Sequence, residues 1–261
     1  MTQITKHSPN WIGFYTLTKR EILRFLKVWT QTILPTAITT LLYLLIFGFV
    51  IGKALPEIKN ITYLEFIIPG ILMMGLITTT YANNSTSIFM MKWLNYIEGL
   101  LISPLSYIET VGAFILGGIA RGVIIGMSIY IISLFFYNGS IFNPILFVLL
   151  IIIVSFIFAS LGLITGLWAE NWDQLNIWST FIITPLVFLG GVFHSISLVP
   201  ESLQIVTKIN PIFYIVDALR YSMLGISESN LFLGLFLIIF LAVAFFFFAV
   251  HLFRIGYKIR R

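Results

Sequence analysis

A few side chains in this sequence are of types that could do chemistry in an unusual setting. Arg121 stands inside an apolar, glycine-rich run, ILGGIARGVIIGMSIY. His194, Glu201, Asp217 and Glu228 fall within one later stretch, 194–228. General acid–base catalysis needs two such groups within reach of one another. The four could therefore serve an outward-facing lipid or sugar transferase. Asp217 and Arg220, however, are one helical turn apart and can simply pair. Arg121 raises a different question. A lone arginine at the centre of a membrane span costs roughly 2.5–3.5 kcal/mol on insertion scales. Glu65 and Glu109 are expected near the membrane surfaces, so no span offers it a carboxylate at matching depth. It should face a wet cavity, backbone carbonyls or a bound anion. Its role is then either the electrostatics of a substrate path or a structural polar contact.

Other chemistries are excluded by residue type and spacing. GFVIGKA, Gly48–Ala54, is one residue short of a phosphate-binding loop and has Ala where Ser or Thr must bind magnesium. His7, His194 and His251 lie on separate segments, which is no zinc arrangement. The chain has no cysteine, hence no disulfide framework and no thiolate metal site. No metal or cofactor is expected on this chain, and no nucleic-acid partner.

The elements that must position these residues are membrane helices. Of 261 residues, 59% are hydrophobic and 10% charged, against roughly a quarter charged in soluble domains. Mean hydropathy is +1.03. The fold class expected is an all-α polytopic membrane protein, a single transmembrane domain over 1–261. A span needs about 20 mostly apolar residues. Six stretches qualify: Thr32–Ile51, Tyr63–Asn83, Ile108–Tyr137, Asn143–Trp168, Gln174–His194 and Leu231–Phe253. With the N-terminus inside, ten Lys or Arg residues flank the cytoplasmic side, and Lys53, Lys59, Lys208 and Arg220 flank the other. The positive-inside rule then puts both termini in the cytoplasm.

Three further segments are too polar or too short to span. At 8–30, Ser8 and Pro9 read as the start of an amphipathic helix, with Trp11, Tyr15, Ile22, Phe25 and Trp29 on one face and Arg20, Arg24 and Lys27 on the other. Such a helix suits the membrane interface, and its basic face would meet anionic headgroups. It is either a simple anchor or an arm that grips a cytoplasmic partner. At 84–106, Met90–Leu101 reads as a short apolar helix ended by Pro104. It either docks on another protein or lies flat on the membrane. At 195–228, Pro200 and Pro211 divide the chain into helices Glu201–Ile209 and Ile212–Leu224. Irregular backbone at Asn210-Pro211 is tolerated at membrane depth only when covered. A re-entrant helical hairpin between the fifth and sixth spans is expected, with two surface helices as the alternative. Gly118, Gly122 and Gly126 form a small-residue face that lets helices approach closely, most simply within the chain.

Taken together, these segments resemble the membrane permease subunit of the type 2 family of ABC exporters, along the whole chain. EGLLISPLS, Glu98–Ser106, is similar to the family's coupling-helix region. The arginine-containing, glycine-rich third span fits as well. The outer stretch is similar to the family signature through Gly190, Gly191, Pro200, Asn210, Pro211, Tyr214, Asp217 and Arg220. One departure is the single basic residue, Lys92, in the coupling region. The resemblance implies a homodimer working with two copies of a separate ATP-hydrolysing subunit, which would carry the ATP and magnesium. It implies a multi-pass protein of the bacterial inner membrane, in contact with its lipids, that exports a drug, lipid or lipid-linked glycan. Lys92, Trp93, Ile97 and Glu98 would couple to the ATPase, Arg121 would lie on the path, and the outer hairpin would form a lid.

Overall fold

The computed structural model of the protein describes residues 9–52, 58, 61–136 and 141–258. His7, Ser8, Lys53, Ala54, Lys59 and Tyr137, named above, lie outside them, as do Lys6, Arg260 and Arg261 of the ten basic residues counted on the cytoplasmic side. Regular secondary structure among the described residues is helical, apart from a two-residue bridge between Ile58 and Ile61. Among the described residues five helices are long and apolar enough to cross a membrane: Trp29–Gly48, Tyr63–Trp93, Tyr107–Ser133, Pro144–Trp168 and Leu231–Ile255.

In chain order, α1 is Trp11–Leu26, α2 Trp29–Thr32 and α3 Leu34–Tyr43, which widens into π-helical turns at Leu44–Ile51. Next come α4, Tyr63–Trp93, the short α5, Ile97–Leu101, and α6, Tyr107–Ser133. Helix α7 is Pro144–Trp168. Then α8, Trp172–Ile177, passes through π turns at Trp178–Ile183 into α9, Thr184–Leu189. The chain closes with α10, Glu201–Ile209, α11, Pro211–Leu224, and α12, Leu231–Ile255.

Helix α4 is the axis of the fold, packed chiefly on α7 and α6. It runs ten residues past the expected end of the second span. Asn83, Asn84, Ser85 and Ser87 are polar, yet all are buried against neighbouring helices, so they extend the helix and do not end it. The separate helix expected at Met90–Leu101 is corrected accordingly. Met90–Trp93 belong to α4, and only Ile97–Leu101 stands apart. The break is Asn95, at φ 58, a left-handed conformation that asparagine tolerates better than most residues.

Capping residues set several ends. Asn143 caps α7, accepting from the Leu146 amide, and Pro144 takes the first helical position. Thr62 with Glu65 and Ser106 with Glu109 form capping boxes for α4 and α6. The start of α1 differs from expectation: Asn10 is its cap, accepting from Gly13 at 2.9 Å, and Pro9 lies one residue outside the helix. Where the fifth span is expected, at Gln174–His194, the chain forms three short helical pieces in succession over 172–189 and leaves the helix at Gly190. The polar start of this stretch, Asp173 and Gln174, and Pro185 account for the weaker apolar run.

The glycine face of α6 is used inside the chain. A Cβ on Gly118 would stand 2.7 Å from Ala159 Cβ and 2.8 Å from Asn84 Oδ1, and one on Gly122 would collide with Ser155. The glycines thus admit α4 and α7 at close range.

Candidate functional site

Three places gather the residues that the sequence singles out. The first is a cleft of about 940 Å³ at the Trp93 end of α4. Its walls include Phe89, Lys92, Trp93, Ile97, Glu98, Leu101, Ala169, Glu170 and Lys258. Trp93 of this lining is exposed, as are Tyr96 and Ile102, next in sequence to the wall residues Ile97 and Leu101, Ile102 to 87%. An α5 of five residues cannot stand alone in water. It is held by Ile97, which is buried in the core cluster beneath it. Lys92 turns inward: its Nζ donates to the carbonyl oxygens of Leu167, Ala169 at 2.9 Å and Gly166 at 3.4 Å, the open end of α7. A lysine there satisfies carbonyls that have no helical partner and complements the helix dipole. Lys258 closes the other side, donating to Glu170 Oε1 at 2.5 Å and to Trp168 O at 3.0 Å. The Lys258 hydrogen bond and charge hold the Glu170 carboxyl below its usual range.

The second place is a buried polar cluster between α1, α4 and α6. Arg121 donates to Asn83 Oδ1 at 3.3 Å and to Thr32 O at 3.5 Å. Arg24 donates to the same Asn83 Oδ1 at 2.9 Å, to Asn83 O at 3.0 Å and to Glu21 Oε2 at 3.2 Å. Ser87 donates to Glu21 Oε2 at 2.6 Å, and Arg20 pairs with Glu21 Oε1 at 3.1 Å. Glu21 is 1% exposed.

This cluster corrects the reading of α1. Its protein-facing side is Leu17, Glu21 and Phe25, while Trp11 and Tyr15 are exposed. Arg24 turns inward and so leaves the face expected to meet headgroups. Sequence reasoning missed Glu21, although its i, i+4 spacing between Leu17 and Phe25 placed it on a buried stripe.

The third place is the segment 195–228. Helices α10 and α11 have the bounds expected from the two prolines, apart from Pro211 itself, which is the first residue of α11. Pro200 holds the residue before α10, and Asn210 caps α11, accepting from the Ile212 amide at 2.9 Å while its Nδ2 donates to Leu186 O at 2.6 Å. Helix α11 is buried among α4, α7 and α12, whereas Leu203, Ile205, Val206 and Ile209 of α10 are exposed. Arg220, fully buried, lies over the Phe66 ring at 3.8 Å and donates to Gly191 O at 2.7 Å. Its Nη1 is 3.8 Å from Asp217 Oδ1 and 3.7 Å from Glu228 Oε2.

The expected Asp217–Arg220 pair is therefore present, but as part of a larger network. Asp217 also accepts from Ser227 Oγ, both donors of Ser229 and the Glu228 amide, at 2.6–2.9 Å. Glu228 accepts from Ser195 Oγ and the Ile196 amide. These carboxylates fasten loop to helix. Glu201 is exposed at the start of α10. Asp217 and Glu228 are thus taken up in holding the 195–196 and 227–229 segments and are not a free proton-transferring pair.

Comparison with known proteins agrees with this architecture. The chain is 34% identical over 250 residues to the inner membrane transport permease YadH of Escherichia coli K12, covering 96% of this chain and 98% of that one. It is 24% identical over 221 residues to nodulation protein J of Rhizobium meliloti, covering 83% and 82% of the two chains. It is also 24% identical over 250 residues to nodulation protein J of Bradyrhizobium diazoefficiens, covering 94% and 93%. The family profile described as ABC-2 type transporter matches residues 13–224. With the membrane helices described above, these matches identify the chain as a multi-pass inner-membrane permease that belongs to the ABC-2 type transporter family.

Proposed function

We propose that this permease is the membrane half of an ATP-driven exporter. Two copies would pair with two copies of a separate ATPase, and an amphiphilic or hydrophobic substrate, drug, lipid or lipid-linked glycan, would leave the cytoplasm through them. The observation that carries the reading is the exposed apolar rim of Trp93, Tyr96 and Ile102 beside a partly polar cleft. Large apolar groups exposed beside a concave surface mark an interaction site. By the distribution of basic residues this rim is cytoplasmic, where an ATPase would meet it. In this reading 172–189 crosses the membrane as a sixth, shorter span, both termini are cytoplasmic, and α10–α11 fold as a re-entrant outer lid.

Within the cleft the residues divide their work. Trp93 and Glu98 face a partner, Ile97 anchors α5, and Lys92 joins α5's neighbour α4 to the end of α7. The test is co-purification with the candidate ATPase, followed by Trp93→Ala and Glu98→Ala. Both variants should fold, while complex formation and ATPase stimulation fall. If both properties survive in both variants, the docking assignment is wrong. Which substrate class is carried can be approached by asking whether the neighbouring coding sequences specify an ATPase alone or glycan-synthesis enzymes too.

A further inference from the structure

The cluster between α1, α4 and α6 is electrostatically unbalanced. Arg20 and Arg24 both pair with the carboxylate of Glu21, and Arg121 joins the cluster through Asn83. Among the described residues no carboxylate lies within ion-pair distance of Arg121. Its acceptors are neutral, and one of them, Asn83 Oδ1, is shared with Arg24. Its Nε is buried without a hydrogen-bond partner, although the residue is more than nine-tenths covered. A guanidinium in such a place is strongly disfavoured unless an anion joins it.

The geometry also says where an anion would enter. Helical side chains lean toward the N-terminal end of their helix. Arg121 accordingly reaches toward the α1 side, to Thr32, where α2 gives way to α3. That is the point at which the chain enters its first apolar run, the depth of lipid headgroups. Arg24 leaves 35% of its side chain exposed there, so the cluster opens on that side. Guanidinium groups take phosphate through paired, charge-assisted hydrogen bonds.

We infer that Arg24 and Arg121 together hold the phosphate of an amphiphile in the leaflet beside α1, with Glu21 as a rival internal anion. This rests on the inner-side placement of α1 proposed above and not on ATPase docking.

The test uses the purified chain in detergent, without an ATPase, so its failure is distinguishable from failure of the export reading. Wild type, Arg121→Gln, Arg24→Gln and Glu21→Gln are mixed with equal amounts of phosphatidylglycerol and neutral glucosyl-diacylglycerol. Retained lipid is counted by native mass spectrometry. Wild type should prefer phosphatidylglycerol by on the order of tenfold, the difference that about one extra charged hydrogen bond supplies. Arg121→Gln should lose most of that preference; if it does not fold, Arg24→Gln carries the test with the same expected loss. Glu21→Gln, which removes the rival anion, should keep or raise the preference. Equal preference in wild type and the arginine variants overturns the site. So does a Glu21→Gln chain that loses the preference as fully as they do, because the cluster would then be structural. Excess inorganic phosphate should leave lipid retention unchanged. Displacement by it would overturn the assignment to an amphiphile in favour of a free anion.

Discussion

Arg24 and Arg121 donate to one oxygen, the Oδ1 of Asn83, at 2.9 and 3.3 Å. Through it a surface helix, α1, is tied to two membrane helices, α4 and α6. The tie is polar where the surroundings are apolar, and that makes its members sensitive to substitution.

Asn83→Ala removes the shared acceptor and leaves donors of two guanidinium groups unsatisfied. The expected destabilisation is about 1–3 kcal/mol. Thermal unfolding of the purified permease in detergent measures it; an unchanged midpoint would show that the cluster does not hold α1 in place. In the same cluster, Arg121→Ala should reduce transport more than it reduces the amount of folded protein. Arg121→Lys should keep part of the transport, and equal loss of folded protein in both would assign Arg121 a purely structural role.

Asp217 presents a sharper case. Asp217→Asn keeps the shape but removes the charge beside Arg220 and turns into a donor one of the two oxygens that accept from the Glu228 and Ser229 amides. Breaking a buried pair from one side costs roughly 3–5 kcal/mol. Glu201→Gln, at an exposed position, should stay within about 0.5 kcal/mol. Yields and melting of the two variants, compared side by side, check the contrast.

Single cysteines are informative here because the chain has none of its own. Positions 205 and 209 are exposed and 212, 213, 215 and 216 are buried. A membrane-impermeant thiol reagent applied from outside should therefore label α11 positions weakly or not at all. Strong labelling at every position from Ile205 to Val216 would rule out the re-entrant arrangement.

Acid should open the Lys258–Glu170 clasp. The carboxyl is held below its usual range in the folded chain, so the clasp contributes fully at pH above the ordinary carboxylate value. It is lost as pH falls below that range and Glu170 takes a proton. Protection of the amides around Gly256–Lys258, taken relative to the intrinsic exchange rate at each pH, should be high at neutral pH and fall at low pH in wild type. In Glu170→Gln protection should be low at both, and identical protection profiles for the two chains would remove the clasp from the account.

Much of the fold was legible in the sequence because lipid imposes a length rule on apolar runs. The bounds of α7 and α12 and of α10 and α11 follow from Asn143, Asn230 and the prolines, residues whose local backbone chemistry acts alone. What stayed hidden depended on neighbours. Asn83, Asn84 and Ser87 read as the end of a span, and only the opposing helices show why they continue it. Glu21 was passed over in a helix read for its basic face, and docking on α6 buries it. Asp217 and Arg220 were visible as a pair, but Glu228 and Ser195 join them from distant chain positions that spacing cannot reveal.

Lys92 bears on how force would travel. Its three bonds to the end of α7 stitch two long helices together at the rim of the cleft. Farther along, a Cβ on Gly162 would stand 2.5 Å from Tyr81 O, so the two backbones touch there as well. Seamed in this way, α4 and α7 form a stiff lever about 46 Å long, at 1.5 Å per residue for the 31 residues of α4. A small tilt imposed beside Trp93 would be carried along this lever toward Phe66, beneath the Arg220 guanidinium, past Pro69, where α4 lacks a backbone N–H donor.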